Sequence, residues 1–368
     1  MSIAIVGFGT ALPITSVTQD EAVEVARKIC CRTDDQAELL PSLYRHTGIR
    51  TRHLSFGPEV VCDVLQGTNT SGSVFLPAEE ADDPGPTTGQ RIEHYVERAG
   101  PLALQAAREA IHSSGVKPTA FTHLVTVSCT GFSAPGVDIE LIKRLELRPT
   151  IERTHVGFMG CHGALNGLRV ANALTGANPG ARVLLCAVEL CSLHYHYGWN
   201  PKKLVSNALF ADGAAAVVGI PARTAPADAW RIAACGSCLF PDSEYAMTWD
   251  IGDHGFEMTL STRVPDLIAR NLRPQLESWL QENGVRLDEV ASWAVHPGGP
   301  RILSAVEEAL DLPPEVNADA RAILAGCGNM SSPTILFILE RLRRRNAPRP
   351  CVALGFGPGL AAEMLLFH

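Results

Sequence analysis

A glycine-bracketed turn that opens onto an apolar helix at a reactive or polar residue is written twice in this chain, and no other feature restricts the fold as much. In the first copy Gly157, Gly160 and Gly163 surround Cys161, and Leu165, Leu168, Ala171 and Leu174 follow at helical spacing. Asn178-Pro179-Gly180 stops that helix, and Val183 to Val188 resumes as a β-branched, apolar strand. In the second copy Gly328-Asn329 precedes Ile335, Leu336, Ile338 and Leu339, Pro348 and Pro350 break the chain, and Cys351 to Leu354 reads as a strand. If the two copies pair pseudo-symmetrically, Cys161 and Asn329 come to one site at two helix N-termini. Alternating strands and helices predict an α/β fold with largely buried sheets.

The linker Pro221 to Asp228 separates a first half, residues 1–220, from a second, 228–368. Strands are expected at Ile3 to Phe8, His123 to Cys129 and Trp230 to Cys235, and helices at Gln19 to Ile29 and Thr88 to Ser113, the latter bent or divided at Pro101. Asn207 to Gly219 reads as two strands joined by an Asp212-Gly213 turn, and His194-Tyr195-His196 as a strand with one side on a cavity. Gly67 to Thr88, with Glu79, Glu80, Asp82 and Asp83, has no periodicity and reads as a surface loop.

With 46% apolar and 19% charged residues there is ample core. A net charge of −8 argues against nucleic acid as a partner. Eleven cysteines, an N-terminus without leader features and no apolar run near the roughly 20 residues of a membrane span point to a reduced, cytoplasmic protein with no transmembrane segment. Arg45, Arg50 and Arg52 form the densest basic cluster of the first half, a solvated face or a place for phosphates.

A thiol at a helix N-terminus faces unpaired N–H groups and the positive end of the helix dipole, which favours thiolate. A lone buried cysteine is more often packing than nucleophile. The odds shift because His296, in WAVHPGGP, and Asn329, in GCGNMSSP, lie in similar glycine-rich turns. An imidazole can take the thiol proton, a pairing worth about 2 to 3 kcal/mol of activation. That fits thiol hydrolases and acyltransferases alike. A neutral Asn donor beside a His N–H can hold an enolate oxygen without quenching the carbanion. Cys235-Gly-Ser-Cys238 imitates a papain-type motif, but Leu239 replaces its aromatic residue, and no second CxxC completes a zinc site.

At GCHGAL around Cys161, ALFADGAAAVV around Phe210, WAVHPGGPRIL around His296, GNMSSP around Asn329 and GFGPGL at Gly355 to Leu360, the chain resembles the type III polyketide synthases. This is the chalcone and stilbene synthase family of the thiolase superfamily, and the resemblance covers nearly the whole chain. It implies a duplicated, five-layered αβαβα thiolase fold and a homodimer. It implies acyl-CoA starter and malonyl-CoA as substrates, with no cofactor beyond these CoA thioesters and no metal. Cys161 then corresponds to the acyl-accepting nucleophile, and His296 with Asn329 to the decarboxylation site. Phe210 matches a gatekeeping aromatic, and Met258 falls where plant enzymes carry a second one. Cys129, Cys191 and His194 fall at plant threonines, Ala134 at a methionine and Trp249 at a glycine, with Ser331 also assigned to the cavity. Cysteines at the first two positions resemble bacterial alkylpyrone and alkylresorcinol makers, so a fatty acyl starter and a pyrone or resorcinol product are expected. A ketoacyl synthase III-like enzyme, which also uses Cys, His and Asn, is the nearest alternative; the HPGG and GFGPG blocks weigh against it. Arg45, Arg50 and Arg52 are candidates for CoA binding.

Overall fold

The expected apolar runs hydrogen-bond into a nine-stranded sheet in the computed structural model, which describes residues 2–78 and 83–368. In chain order its strands are β1 (Ile3–Ala11), β2 (His123–Ser128), β3 (Glu152–Gly157), β4 (Val183–Leu190), β5 (Asp212–Pro221), β6 (Trp230–Leu239), β7 (Ser292–Val295), β8 (Cys351–Gly357) and β9 (Ala361–Phe367). Across the sheet they run β7-β8-β9-β6-β1-β5-β4-β2-β3. The seam between halves is a short antiparallel pairing in which Ala4 faces Arg231 and Ile5 faces Trp230. Outward from it the first half reads β1, β5, β4, β2, β3 and the second β6, β9, β8, β7. The first three pairings in each half are antiparallel, antiparallel and parallel. The duplication inferred from two turns therefore extends to strand order and direction, and only β3 lacks a counterpart.

In order along the chain, the helices that shape the site are α1 (Gln19–Cys30), α2 (Pro58–Gln66), α3 (Thr88–Ser114), α4 (Gly163–Ala177), α5 (Pro201–Leu209), α6 (Val264–Glu282), α7 (Pro300–Leu310) and α8 (Pro333–Arg344). α3 covers the outer face of β1, β4 and β5. α4 and α8 lie in the middle and touch strands of both halves. α6 and α7 pack together outside the second half, with Trp279 of α6 against Gly236 of β6. The layers thus run α, β, α, β, α. β4 shows why its sequence is apolar throughout: Val183, Leu185 and Ala187 enter the core shared with the middle helices, while Leu184, Cys186, Val188 and Leu190 face the α3 side.

Two expectations need correction. α3 continues through Pro101 as one helix, with the proline on its exposed side, where water can take the carbonyl its ring deprives of a donor. Asn207 to Gly219 is not a strand pair. Asn200 caps α5, accepting from the backbone N–H of Lys202 and Lys203, and Pro201 starts it, so helix persists to Leu209 and strand begins at Asp212. The segment from Gly67 to Thr87 is irregular where it is described; Glu79, Glu80 and Asp82 lie outside the described residues.

The glycines of β1 set how closely α3 approaches. A Cβ at Gly9 would collide with the carbonyl oxygen of Ala106 and the amide of Ala110, both backbone atoms of α3. Gly9→Ala is therefore expected to lower stability by about 1–3 kcal/mol, read as a reduced denaturant midpoint. An unchanged midpoint would show that α3 can move away at no cost.

Candidate active site

The motif blocks recognised in the sequence meet in space, and their glycines are what lets them. Gly160 takes φ +68°, and a Cβ there would lie 2.5 Å from the Pro358 ring of GFGPG. A Cβ at Gly357 would strike the His162 ring, and one at Gly213 the Met330 sulfur. Between the halves, Ala211 N–H donates to Asn329 O at 2.9 Å and Asn329 N–H to Leu209 O at 3.0 Å. These contacts fix the turns carrying Cys161, Phe210 and Asn329 relative to one another.

Cys161, His296 and Asn329 line one cavity with Ser206, Leu209, Phe210, Met247 and Met258. A connected lobe at Cys161 is lined by Cys129, Thr130, Cys191, Trp249 and Ser331. Cys161 sits in the single 3-10 turn Gly160–His162, just ahead of α4, and Asn329 lies four residues before α8. Asn329 Oδ1 accepts from Ser331 N–H at 2.9 Å, which turns its NH2 group toward the thiol. Ser331, at φ +55°, also places its hydroxyl 3.3 Å from Cys129 Sγ.

Burial pushes the Cys161 thiol up to about 11, with hydrogen bonds from Ser331 and Asn329 opposing it and the Glu189 carboxylate adding to it. Burial, followed by the neighbouring His162, pulls the His296 imidazole down to about 3. Among the described residues neither ring nitrogen of His296 has a hydrogen-bond partner. Burial therefore works against the thiolate that the helix terminus is expected to favour. A proton moved from sulfur to imidazole creates both charges together with opposite signs, and each offsets part of the other's desolvation.

Sequence reasoning did not single out Glu189. At the end of β4 it is fully buried and accepts from Cys129 N–H at 2.9 Å, Thr130 Oγ1 at 2.7 Å and Ser332 Oγ at 2.6 Å. It thereby ties the loop after β2 to the turn before α8. Lys202 and Ser206, one turn apart on α5, were also missed. Only the helical reading of that segment would have placed them on one face.

The other sequence candidates divide. Trp249 and Met258 face each other across the hairpin Met247–Gly252 and Gly255–Leu260, and the Trp249 indole donates to Cys129 O at 2.7 Å. His194 lines the chamber behind the Cys161 cavity, in a 3-10 turn rather than the expected strand. Its Nδ1 accepts from Phe256 N–H at 2.9 Å, so its Nε2 donates to Thr130 O at 2.6 Å, and its ring stacks on Phe256 at 4.2 Å. Ala134 is exposed in the loop after β2 and is not among the residues that line the cavities at Cys161. Arg45 and Arg50 are exposed. Arg52 is not: its guanidinium is buried and donates to Asn207 O at 2.5 Å and Phe210 O at 3.0 Å, so it holds the Phe210 turn. The eleven cysteines are all free thiols, and among the described residues no group of His, Cys, Asp or Glu could hold a metal. No described helix is long and apolar enough to cross a membrane.

Four imidazoles are pulled down by burial: His162 and His196 to about 4, His194 and His296 to about 3, against an ordinary 6.5. The unfolded chain binds protons that the folded chain refuses, so their stabilising effect is complete above about 6.5 and is lost as pH falls toward 4. Each contributes a slope of about 1.4 kcal/mol per pH unit in that window. His194→Asn is expected to flatten the fall of unfolding free energy between pH 6.5 and 4.5 by about one proton. An unchanged slope would mean that His194 is protonated in the folded protein.

Models of the N-terminal and C-terminal domains of chalcone and stilbene synthases match residues 2–222 and 231–368. A 1,3,6,8-tetrahydroxynaphthalene synthase of Streptomyces peucetius subsp. caesius is 34% identical over 365 residues, covering 98% of this chain and 91% of that protein. The alpha-pyrone synthesis polyketide synthase-like Pks18 of Mycobacterium tuberculosis is 30% identical over 369 residues, covering 98% and 90%. The crystal structure of PKS-I from the brown alga Ectocarpus siliculosus superposes with a TM-score of 0.89 at 33% identity, covering 100% of this chain and 98% of that one. These matches do not favour the thiol hydrolase or the ketoacyl synthase III-like alternative. With both halves matched end to end, this chain belongs to the chalcone and stilbene synthase family and is a type III polyketide synthase.

Proposed function

We propose that this chain is an acyltransferase that loads an acyl-CoA starter onto Cys161, extends it with malonyl-CoA and closes the chain to a pyrone or resorcinol. The observation that carries this reading is the meeting of a thiol, an imidazole with two unpartnered nitrogens and an oriented carboxamide in one buried cavity. In the loading step the Cys161 proton passes to His296, sulfur attacks the starter thioester, and CoA leaves as a thiol. Malonyl-CoA then loses CO2, and the electron pair left behind forms an enolate whose oxygen accepts from His296 N–H and the Asn329 NH2 group. The enolate carbon attacks the Cys161 thioester and releases the sulfur. A fixed neutral donor suits this step, because it stabilises the anion without protonating its carbon.

An alkyl starter is supported by a largely apolar chamber behind the Cys161 cavity. Val25 and Ile29 of α1, Val60 and Val64 of α2, and Phe75 line it. Cys191, Phe210 and Trp249 line both this chamber and the cavity at Cys161, so they form the wall that a chain must pass. Each methylene buried there gains about 0.8 kcal/mol. The unpaired edge of β3, whose side chains are mostly exposed, supports a homodimer as the working unit.

Product mass spectrometry with malonyl-CoA and acyl-CoA starters of two to sixteen carbons tests the reading. kcat/KM is expected to rise with chain length; a flat profile or a preference for acetyl-CoA would refute the alkyl starter. Cys161→Ala is expected to abolish condensation, and Asn329→Ala to slow decarboxylation by about a hundredfold, the usual cost of one lost oxyanion donor. Full activity in either variant would overturn the roles given to these residues.

A further inference from the structure

The hairpin that carries Trp249 and Met258 is a two-stranded sheet of its own, outside the nine-stranded one. Two strands alone are barely stable in water, so contacts from elsewhere must hold this pair in place. Along its length the Trp249 indole donates to Cys129 O at 2.7 Å, Phe256 N–H to His194 Nδ1 at 2.9 Å, and Lys203 pairs with Glu257 at 2.8 Å. That ion pair is partly exposed and contributes little. At the tip, Asp253 and His254 make the turn, and the His254 ring donates from Nδ1 to Gly85 O at 2.9 Å. There too Thr88 Oγ1 donates to Gly252 O and accepts from Gly255 N–H at 2.9 Å, while Thr88 N–H donates to Asp253 O at 2.8 Å. One residue thus holds the ends of both strands and the turn between them.

The support behind Thr88 is rigid. It opens α3, where Thr87 Oγ1 accepts from Gln90 N–H and Gln90 Oε1 accepts from Thr87 N–H at 2.9 Å, a reciprocal cap. One turn on, Arg91 is fully buried and donates to Pro86 O at 2.8 Å, to Leu193 O, and to Tyr195 O at 3.0 Å. The same side chain lies against the hairpin, since a Cβ at Gly255 would be 3.1 Å from Arg91 Cδ. Three residue pairs in from Gly252 and Gly255, Trp249 and Met258 face each other. About 10 Å of strand separates them from the tip, short enough for a displaced tip to move both. Trp249 lines the lobe at Cys161 and the apolar chamber, and Met258 lines that lobe and the Cys161 cavity. These two side chains border the way from the sulfur into the chamber.

We propose that Thr88 is a positioning residue for starter selection: by pinning the hairpin tip it fixes Trp249 and Met258, and with them the passage from Cys161 to the apolar chamber. This rests on an acyl chain entering that chamber, and the test separates the two ideas. Thr88→Val keeps the shape and removes both hydroxyl hydrogen bonds, whereas Thr88→Ser keeps the hydroxyl. Three quantities are measured in wild type and both variants: hydrogen–deuterium exchange across residues 247–260, kcat/KM for acyl-CoAs of six and sixteen carbons, and malonyl-CoA decarboxylation without starter. With the tip released, a long chain must order the passage itself, and a short one reaches less of it. In Thr88→Val the hairpin is expected to exchange about tenfold faster, and the sixteen-to-six-carbon ratio of kcat/KM to fall about tenfold, while decarboxylation holds. Thr88→Ser is expected to match wild type. Hairpin exchange or a ratio unmoved in Thr88→Val, or equal losses for both starters and for decarboxylation, would overturn the proposal. A flat chain-length profile in wild type would instead refute the alkyl starter, and with it this role in selecting one.

Discussion

The site depends on one fully buried carboxyl group, that of Glu189. Glu189 ends β4 in the first half, yet it accepts from Ser332 of the second half as well as from the Cys129 and Thr130 loop. Burial pushes its carboxyl up, and the donors around it oppose that shift. An unsatisfied carboxylate at full burial would cost several kcal/mol, so these donors must stay in place together. They hold the Cys129 loop beside Ser331 and Asn329, the two side chains that hydrogen-bond to Cys161. The same group makes a lone thiolate at Cys161 harder to form, since its charge has the wrong sign. A compensating positive charge then has to come from His296.

This arrangement explains why the duplicated fold serves the chemistry. Each half supplies a glycine turn at the end of a middle-layer helix, and the backbone bridge from Phe210 to Asn329 holds the two turns at one level. Cys161 comes from the first half; His296 and Asn329 come from the second. Burial of all three side chains lowers the local dielectric, which strengthens the electrostatic interactions among them. Behind the cavity, the apolar chamber and the wall of Cys191, Phe210 and Trp249 give space for a chain without admitting bulk solvent to the sulfur.

Much of this was legible because the constraints are local. Glycines 160, 163, 213, 328 and 357 stand in short motifs, and the repeated turn, helix and strand order led to a symmetry later seen in strand directions. Other features were hidden because tertiary contacts decide them. Arg52 reads as a surface cation until Asn207 and Phe210 fold their carbonyls onto it. The alternation of His194, Tyr195 and His196 suggested a strand, while the hydrogen bonds of His194 to Thr130 and Phe256 need a tight turn. Lys202 was missed because Ala-rich, β-branched sequence after Phe210 made the preceding helix read as strand.

The central claim is that Cys161 gains its charge by sharing a proton with His296 and not from the helix that follows it. Peptide mass spectrometry can follow iodoacetamide labelling at Cys161 alone, as a function of pH, in wild type and His296→Gln. The account predicts that labelling of wild type begins at distinctly lower pH than labelling of the variant. Superimposable profiles would contradict it and return the activation of this thiol to the turn and helix around it.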